Sequence, residues 1–379
     1  MHSLKSNTVL GILGGGQLGR MLLQKAIDWN ITSLIVDCDK DAPCRYLTEN
    51  FINRPYSDFD TVLEAGRKCT HLTIEIEHVN TDALFQLQKE GVKIFPKPEL
   101  LRIIQDKGLQ KEFYEANNIA TSAFFLVKDK EDLMKRELKF PFILKLRTQG
   151  YDGKGVMKIN SQDDLKNAFD APCAVEEMEE IEKEISVIAA RNEDGQCAFY
   201  PPAEMVFNPK ANLVDYLFAP ADISDEQWNK AVQLAKQVAE SFKLTGIMAV
   251  EMFLTKKGEL LVNESAPRPH NSGHHTIEAN YTSQYEQLLR TIFNLPLGST
   301  GIISPAAMIN LLGEEGHAGP AVYQGLEEAL KTEGVYVHLY GKKMTKPFRK
   351  MGHVTVTAST AGEALRKAKK IKSLLKVIT

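Results

Sequence analysis

The sequence predicts a fold of mixed α/β and α+β class, opened by a doubly wound parallel-sheet domain. Three observations lead there. From Thr8 to Phe95 apolar strands alternate with amphipathic helices, the pattern of parallel strands joined by crossovers. From Thr121 a strand, a helix and a second strand, followed by a glycine loop, form a compact α+β unit. The 379 residues also exceed what one ordinary core organises, so two or three domains are expected.

The first strand, Thr8 to Leu13, runs into Gly14-Gly15-Gly16-Gln17-Leu18-Gly19 and a helix whose apolar face is Leu18, Met21, Leu22 and Ala26. A second strand, Ile31 to Val36, ends at Asp37, near where a dinucleotide fold places its ribose-binding acid. Taken alone this segment reads as NAD binding. A glycine turn also serves close strand-to-helix packing without any nucleotide, and a helix amino terminus is equally a site for a substrate phosphate. A helix near Thr61 to Cys69, strand Leu72 to Ile76, helix Thr81 to Glu90 and strand Val92 to Phe95 complete the unit. Glu75 and Glu77 alternate with apolar residues at the carboxyl end of a strand, where open α/β sheets bind ligands.

Pro96-Lys97-Pro98 marks a boundary, and Leu100 to Asn117 reads as one helix carrying Asp106-Lys107. The compact unit follows, with strand Phe124 to Val127, helix Lys130 to Leu138 and strand Phe142 to Leu146. Lys145 lies inside that last apolar strand, where an unpaired ammonium is costly, and a phosphate is its expected partner. Gly150 to Gly155 is a glycine-rich loop with Lys154 at its tip, able to approach phosphate through backbone N–H groups. Strand Ala174 to Met178 and the acids up to Glu184 precede a strand at Ile185. That acid run is open to two readings, a solvated face or a nucleotide site.

Strands around Cys197 to Phe207 and Leu213 to Phe218 and a helix Asp225 to Phe242 lead to a hairpin. Ile247 to Thr255 and Glu259 to Asn263 alternate with period two around Lys257-Gly258. With a two-residue turn Lys256 pairs with Glu259, and counting back places Glu251 opposite Glu264. Facing carboxylates destabilise a sheet unless a cation lies between them, and Mg²⁺ is the natural choice. A bulge would shift the register by a residue, and a solvated sheet edge is the competing reading. After the hairpin, Glu264-Ser-Ala-Pro-Arg-Pro-His-Asn-Ser-Gly-His-His275 concentrates a carboxylate, a guanidinium, imidazoles and an amide on a proline-stiffened loop, as a site requires. Helix Tyr281 to Phe293, strands Ala306 to Leu311 and Val335 to Leu339, and a basic turn Lys346 to His353 before strand Val354 to Thr357 close the chain.

The run Glu-x-Ala-Pro-Arg-Pro-His-Asn-Ser-Gly-His resembles the signature of the N5-carboxyaminoimidazole ribonucleotide synthetase family of the ATP-grasp superfamily. The GGGQLGRM turn, the GYDGKG loop and Arg349-Lys350-Met351-Gly352-His353 resemble the family's other motifs, so the resemblance spans nearly the whole chain. It implies an ATP-grasp fold behind a pre-ATP-grasp domain, divided at residues 1–97, 98–183 and 184–379. The implied reaction is carboxylation of 5-aminoimidazole ribonucleotide by ATP and bicarbonate through carboxyphosphate, in purine biosynthesis. By the same resemblance Lys107, Lys145, Glu176, Glu177, Met178, Glu184 and Asn263 would bind ATP, and Glu251 and Glu264 would hold Mg²⁺. Arg268, His270, Asn271 and Lys350 would cradle bicarbonate and its phosphorylated product. Gly15, Gly16, Gln17, Leu18, Glu75, Tyr151, Asp152, Lys154 and Arg349 would meet the ribonucleotide. Lys154 stands where an arginine is common in the family, which keeps the charge and loses the bidentate fork. A homodimer and a functional link to the mutase that takes the product are implied as well.

Other classes have weaker support. A formate-dependent glycinamide ribonucleotide transformylase or a biotin carboxylase would share Lys145, Glu251 and Glu264 but not the PRPHNSGH loop. An NAD-dependent oxidoreductase rests on Gly14 to Gly19 and Asp37 alone, and a silent nucleotide-binding protein would lack an essential group. With 46 basic against 49 acidic residues there is no footprint for nucleic acid or an anionic membrane. No apolar run approaches membrane-spanning length, and the amino terminus lacks a signal-peptide core. Five scattered cysteines without metal-type spacing fit a reducing cytoplasm.

Overall fold

The computed structural model describes residues 4–148, 150, 155–208 and 213–379. The first unit holds β1 (Val9–Leu13), α1 (Gln17–Asp28), β2 (Thr32–Val36), β3 (Phe51–Ile52), α2 (Phe59–Gly66), β4 (His71–Ile74), α3 (Thr81–Lys89) and β5 (Lys93–Phe95). Its strands are parallel in the order β3-β2-β1-β4-β5. Both faces are covered: Leu10, Ile12 and Ile35 enter one core while Leu13, Leu34, Val36, Leu72 and Ile74 enter another. Such strands read as continuous apolar runs. The order reverses beside β1, so the carboxyl ends of β1 and β4 open on one crevice.

The helix expected over Leu100 to Asn117 is two helices, α4 (Pro98–Ile104) and α5 (Lys107–Ala116). The break lies at Asp106, whose carboxylate accepts from the N–H groups of Gly108 and Leu109 and so starts a new helix. Leu100, Ile104, Tyr114 and Ile119 pack into the core of the large sheet described next, although sequence groups this stretch with the small unit after it. That small unit comprises β6 (Phe124–Val127), α6 (Lys130–Met134), β7 (Phe142–Leu146), β8 (Val156–Ile159) and β9 (Cys173–Glu177). Its strands form an antiparallel sheet in the order β6-β9-β7-β8.

The chain then builds β10 (Ile181–Arg191), β11 (Cys197–Phe199), β12 (Ala203–Asn208), β13 (Leu213–Ala219), α7 (Asp225–Ser241), β14 (Gly246–Thr255) and β15 (Leu260–Ala266). It continues through α8 (Thr276–Ala279), α9 (Gln284–Ile292), β16 (Ala306–Leu312), β17 (Gly319–Pro320), β18 (Val322–Gln324) and α10 (Leu326–Leu330). The last elements are β19 (Val335–Leu339), β20 (Met344–Thr345), β21 (Lys350–Thr357), α11 (Ala361–Leu374) and β22 (Lys376–Ile378). Nine strands join in one sheet, along the path β15-β14-β10-β12-β13-β16-β21-β19 with β11 beside β10. Two expectations are corrected here. Glu184 lies within β10 rather than ahead of it, and Lys350 to His353 are strand rather than a turn, because β21 pairs with both β16 and β19.

The hairpin reaches its expected pairing by two deviations that cancel. Thr255, not Lys256, pairs with Glu259, since its N–H donates to that carbonyl at 2.9 Å, so the turn has three residues. Met252 then opposes Val262, but Glu251 opposes Glu264, which leaves Asn263 as the extra residue of a bulge. A bulge sends two consecutive side chains to the same face. Val262 and Ser265 stay on the buried side, while Asn263 and Glu264 both turn to the other.

The Lys-Met-Gly-His segment has a steric reason for its glycine. A Cβ on Gly352 would sit 2.5 Å from the backbone oxygen of His338 on β19. Gly352→Ala should therefore spread the β19–β21 pair and cost about 1–3 kcal/mol, as overpacking does. Urea unfolding should show a lower midpoint at unchanged slope; an unchanged midpoint would remove this explanation of the motif.

Candidate active site

Strand alternation builds the site's floor. Along β14, Met248, Val250, Met252 and Leu254 face one core, while Ile247 and Ala249 face another and Glu251 continues the second row. On β10, Ile185, Val187 and Ala189 face the first core, and Ile188 the second, in one row with Ser186 and Glu184. Ser186 lies directly across from Glu251. One sheet face is thus apolar where it meets the amino-terminal unit and acidic where the small sheet approaches.

Two carboxylates facing across adjoining strands need compensation, and the structure supplies it on both sides. Lys107, at the amino end of α5, donates to Glu264 Oε2. Its helix start is fixed by Arg147, which grips Asp106 through Nε at 2.8 Å and Nη2 at 2.8 Å, while Lys107 N–H donates to Arg147 O at 2.8 Å. His270 Nε2 lies 3.2 Å from Glu251 Oε1. Ser272 N–H donates to His270 Nδ1 at 3.2 Å, which puts the ring proton of a neutral imidazole on Nε2, aimed at Glu251. The Lys107 ammonium holds Glu264 well below the usual carboxylate range. Burial, and then the charges of Glu264 and Glu184, push Glu251 up. Burial likewise pushes Glu184 up to about 7.

No group of three or more His, Cys, Asp and Glu is arranged for a metal among the described residues. Two hard carboxylates with one proton affinity already raised still fit a site for Mg²⁺, an ion that takes few protein ligands and completes its shell with water and phosphate.

Lys145 reaches down from β7. Its Nζ lies 3.0 Å from Glu176 Oε2, 3.0 Å from Oε1, and 2.9 Å from Asn263 Oδ1 across on the large sheet. Glu176 is buried, and Lys111 shares its Oε2 at 3.0 Å. Its carboxylate is therefore engaged within the protein, which leaves the strand's backbone groups for the nucleotide. Glu177 pairs with Lys139 at 3.0 Å and Met178 is exposed. Both stand where the chain leaves β9 for β10, the crossing between the two sheets.

The crevice above β1 and β4 is filled by protein carboxylates. Asp37 Oδ2 accepts from Gly15 N–H at 2.6 Å and its Oδ1 from Asp39 N–H at 2.7 Å. Glu75 Oε1 accepts from Leu18 N–H at 3.2 Å, and a Cβ on Gly16 would lie 2.4 Å from that oxygen. Burial pushes Glu75 up to about 7 against the opposing charge of Arg268. The glycine turn is tied down by its own acids, and Asp37 is turned away from any ribose. The N–H groups of Gly15 and Leu18 are held by these two side chains, which a substrate phosphate at this turn would displace. Glu77 pairs with Arg268, Oε1 to Nε at 2.7 Å.

The carboxyl-terminal motif meets the signature loop through aromatic rings. His353 stacks on His274 at 4.6 Å and on His338 at 4.4 Å, while His338 Nε2 pairs with Glu278 at 2.7 Å. Asn271 Nδ2 is a buried donor with no acceptor among the described residues. Arg349 donates to Met344 O at 2.8 Å. Lys342 donates to Gln17 Oε1 at 3.0 Å and to the backbone oxygen of Lys350 at 2.7 Å, linking the last segment to the first. Tyr151, Asp152 and Lys154 lie outside the described residues.

Sequence reasoning missed Lys111, Arg147, Lys342, His274 and His353. The signal was available for the two histidines, which belong to quoted motifs, and for Lys111, a lysine on the apolar face of its helix. Nothing in the sequence marked Arg147 or Lys342.

Comparisons with known proteins agree with this geometry. Residues 7–105 match the ribonucleotide synthetase pre-ATP-grasp domain, 112–285 the ATP-grasp domain, and 306–367 the phosphoribosylaminoimidazole carboxylase C-terminal domain. The N5-carboxyaminoimidazole ribonucleotide synthase of Bacillus subtilis is 36% identical over 92% of this chain and 90% of its own. A crystal structure of the Thermotoga maritima synthetase superposes with TM-score 0.91 at 44% identity, covering 98% of this chain and 99% of that one. The Aspergillus clavatus enzyme, solved with ADP and 5-aminoimidazole ribonucleotide, superposes at 0.88 with 34% identity, over 97% and 98% of the two chains. The phosphoribosylaminoimidazole carboxylase of Saccharomyces cerevisiae is 39% identical, and this chain spans 65% of its length. The chain belongs to the N5-carboxyaminoimidazole ribonucleotide synthetase family and is an ATP-grasp ligase of purine biosynthesis.

Proposed function

We propose that this ligase carboxylates 5-aminoimidazole ribonucleotide with bicarbonate and ATP by way of carboxyphosphate, using the residues gathered between the two sheets and the amino-terminal crevice. The observation that carries the reading is the buried Asn271 Nδ2, unpartnered among the described residues, on the loop that also bears Arg268 and His270. A donor left without an acceptor in a cationic loop suits an oxyanion, and it adjoins a carboxylate pair suited to phosphate-bound cations.

Lys145 and Lys107 neutralise phosphate oxygens, with Asn263 steering Lys145. Adenine lies along the backbone at Glu177 and Met178, and Glu184 receives the ribose hydroxyls. Glu251 and Glu264 would hold Mg²⁺, whose charge, when bound, offsets that of the transferring phosphoryl group. A bicarbonate oxygen, cradled by Arg268, His270, Asn271 and Lys350, attacks the γ-phosphorus while the bond to the bridging oxygen breaks and ADP leaves. Transfer of this kind depends on positioning and neutralisation. The exocyclic amine then bonds to the carboxyl carbon, the carbon–oxygen bond to phosphate breaks, and the amine sheds a proton. Glu75, Gly16, Gln17, Tyr151, Asp152 and Lys154 hold the ribonucleotide. Its phosphate lies toward the glycine turn at Gly15 and Leu18, displacing the acids that hold those N–H groups, with Arg349 and Lys342 as the cations on that side. Protein on both sides of the anion loop shields carboxyphosphate from water.

A homodimer in a reducing cytoplasm, handing its product to a mutase, completes the proposal; it is supported by the family resemblance and by five cysteines that are all free. Sedimentation of the purified chain checks the assembly.

The reaction has a direct test. ADP release should be slow with Mg-ATP and bicarbonate alone and rise sharply when 5-aminoimidazole ribonucleotide is added, because transfer is efficient only in a filled site. Arg268→Ala should abolish the rise with ATP affinity nearly intact. ADP release indifferent to the aminoimidazole compound would overturn the assignment.

The carboxylate pair gives a second. Because Glu251 is raised by burial and by Glu264, it carries a proton near neutral pH when no cation is bound, and a divalent cation displaces that proton. Adding Mg²⁺ to the ATP-loaded enzyme at pH 7 should release up to about one proton per site in a weakly buffered titration. Glu251→Gln should release none. Equal release by the variant would place the metal elsewhere.

A further inference from the structure

Lys111 has no place in the mechanism, yet it is a buried ammonium, 2% exposed, beneath the nucleotide face. Its Nζ lies 3.0 Å from Glu176 Oε2 and donates to Thr121 Oγ1 at 2.7 Å, and Thr121 donates in turn to Val262 O, next to the Asn263 bulge. Glu176 is 3% exposed and serves a second ammonium, Lys145, at 3.0 Å. A buried cation is costly to retain without function, and one carboxylate would suffice to satisfy Lys145 alone.

We propose that Lys111 is a positioning residue that keeps Lys145 electrostatically available to the nucleotide's phosphates by sharing the Glu176 carboxylate, both ammoniums lying 3.0 Å from Oε2. The argument is one of charge. Glu176 with Lys145 alone is a neutral pair, and its field at a phosphate a few ångströms away is weak. Glu176 with both lysines carries one net positive charge. Lys111 is held by Glu176 and Thr121, and Lys145 side-chain exposure is 12% against 3% for Lys111, so the surplus is expressed at Lys145. The groups that bear on Lys111 are Glu176 on β9, Lys145 on β7 and Lys107 on its own helix. Burial pushes its pKa down to about 8, which still leaves the ammonium form at pH 7.

The proposal rests on the reading that Lys145 meets phosphate, and the experiment separates the two. ATP binding and 5-aminoimidazole ribonucleotide binding are measured by calorimetry at pH 7 on the full chain. Lys145→Met tests the underlying reading and should weaken ATP without changing the ribonucleotide; if it does not weaken ATP, that reading fails. Lys111→Met, a near-isosteric neutral change, should weaken ATP roughly tenfold, the scale of one screened charge at short range, and leave the ribonucleotide unchanged. The double variant Lys111→Met, Glu176→Gln restores the net charge of the triad and leaves no unpaired buried carboxylate, so it should fold even where the single variant does not. It should bind ATP within about threefold of wild type, since the charge term is back. A purely structural role for Lys111 would lower stability and weaken ATP and ribonucleotide binding together, without the selective loss for ATP. Wild-type ATP affinity in Lys111→Met, or a double variant that binds ATP as poorly as Lys145→Met, would overturn the inference.

Discussion

Two carboxylates held face to face, Glu251 on β14 and Glu264 on β15, are the constraint to which the other parts of the site answer. Like charges at a cross-strand pair repel, and burial makes the repulsion worse. The fold meets this with donors brought from elsewhere in the chain, an ammonium for Glu264 and an imidazole N–H for Glu251. Lys107 comes from the start of a helix that Asp106 and Arg147 hold in place, and His270 comes from the loop that Glu264 itself opens. Cations already gathered around an acidic pair are also what a nucleotide triphosphate and its metal require, so stabilising the empty fold and preparing it for the substrate are one arrangement.

The same logic runs through the rest of the site as alternating charge. Glu176 sits between Lys111 and Lys145, Glu77 pairs with Arg268, and Glu278 pairs with His338 at the end of a histidine stack. Several contacts of this kind join separate units of the chain. Arg268 to Glu77 ties the signature loop to the amino-terminal crevice, Lys145 to Asn263 ties the small sheet to the large one, and Lys342 to Gln17 ties the last segment to the first. Polar contacts that cross between units are easier to exchange for a ligand than apolar cores are, because their desolvation is incomplete and a phosphate can replace a carboxylate as partner.

What was legible in the sequence follows from which signals are local. The parallel first unit, the strand bearing Lys145 and the opposition of Glu251 to Glu264 all rest on short-range periodicity, and all are found. The last agreement has a hidden cause, since a three-residue turn and the Asn263 bulge each shift the register by one and cancel. The helix break at Asp106 was readable as an N-cap but was masked by the continuous apolar pattern on either side. What could not be read was pairing at long range. Nothing local to Glu77 says that its partner is Arg268, or to Lys111 that its partner is Glu176, because those contacts are set by how sheets and helices stack.

The amino-terminal glycine turn shows why a motif needs its surroundings. Strand, glycines, helix and an acid after the second strand satisfy every local demand of a dinucleotide site. The structure spends those same features inward. Asp37 accepts from Gly15 and Asp39, and Glu75 covers the helix start at Leu18. Asp37 already accepts two backbone N–H groups, and a carboxyl group at a helix start competes with a phosphate for the same N–H groups. The glycines are needed in either case, at Gly16 so that the Glu75 carboxylate can lie against the backbone. The pattern therefore encodes a close approach of an anion to a helix start, and only the neighbouring strand decides whether that anion is a ligand or the protein's own side chain.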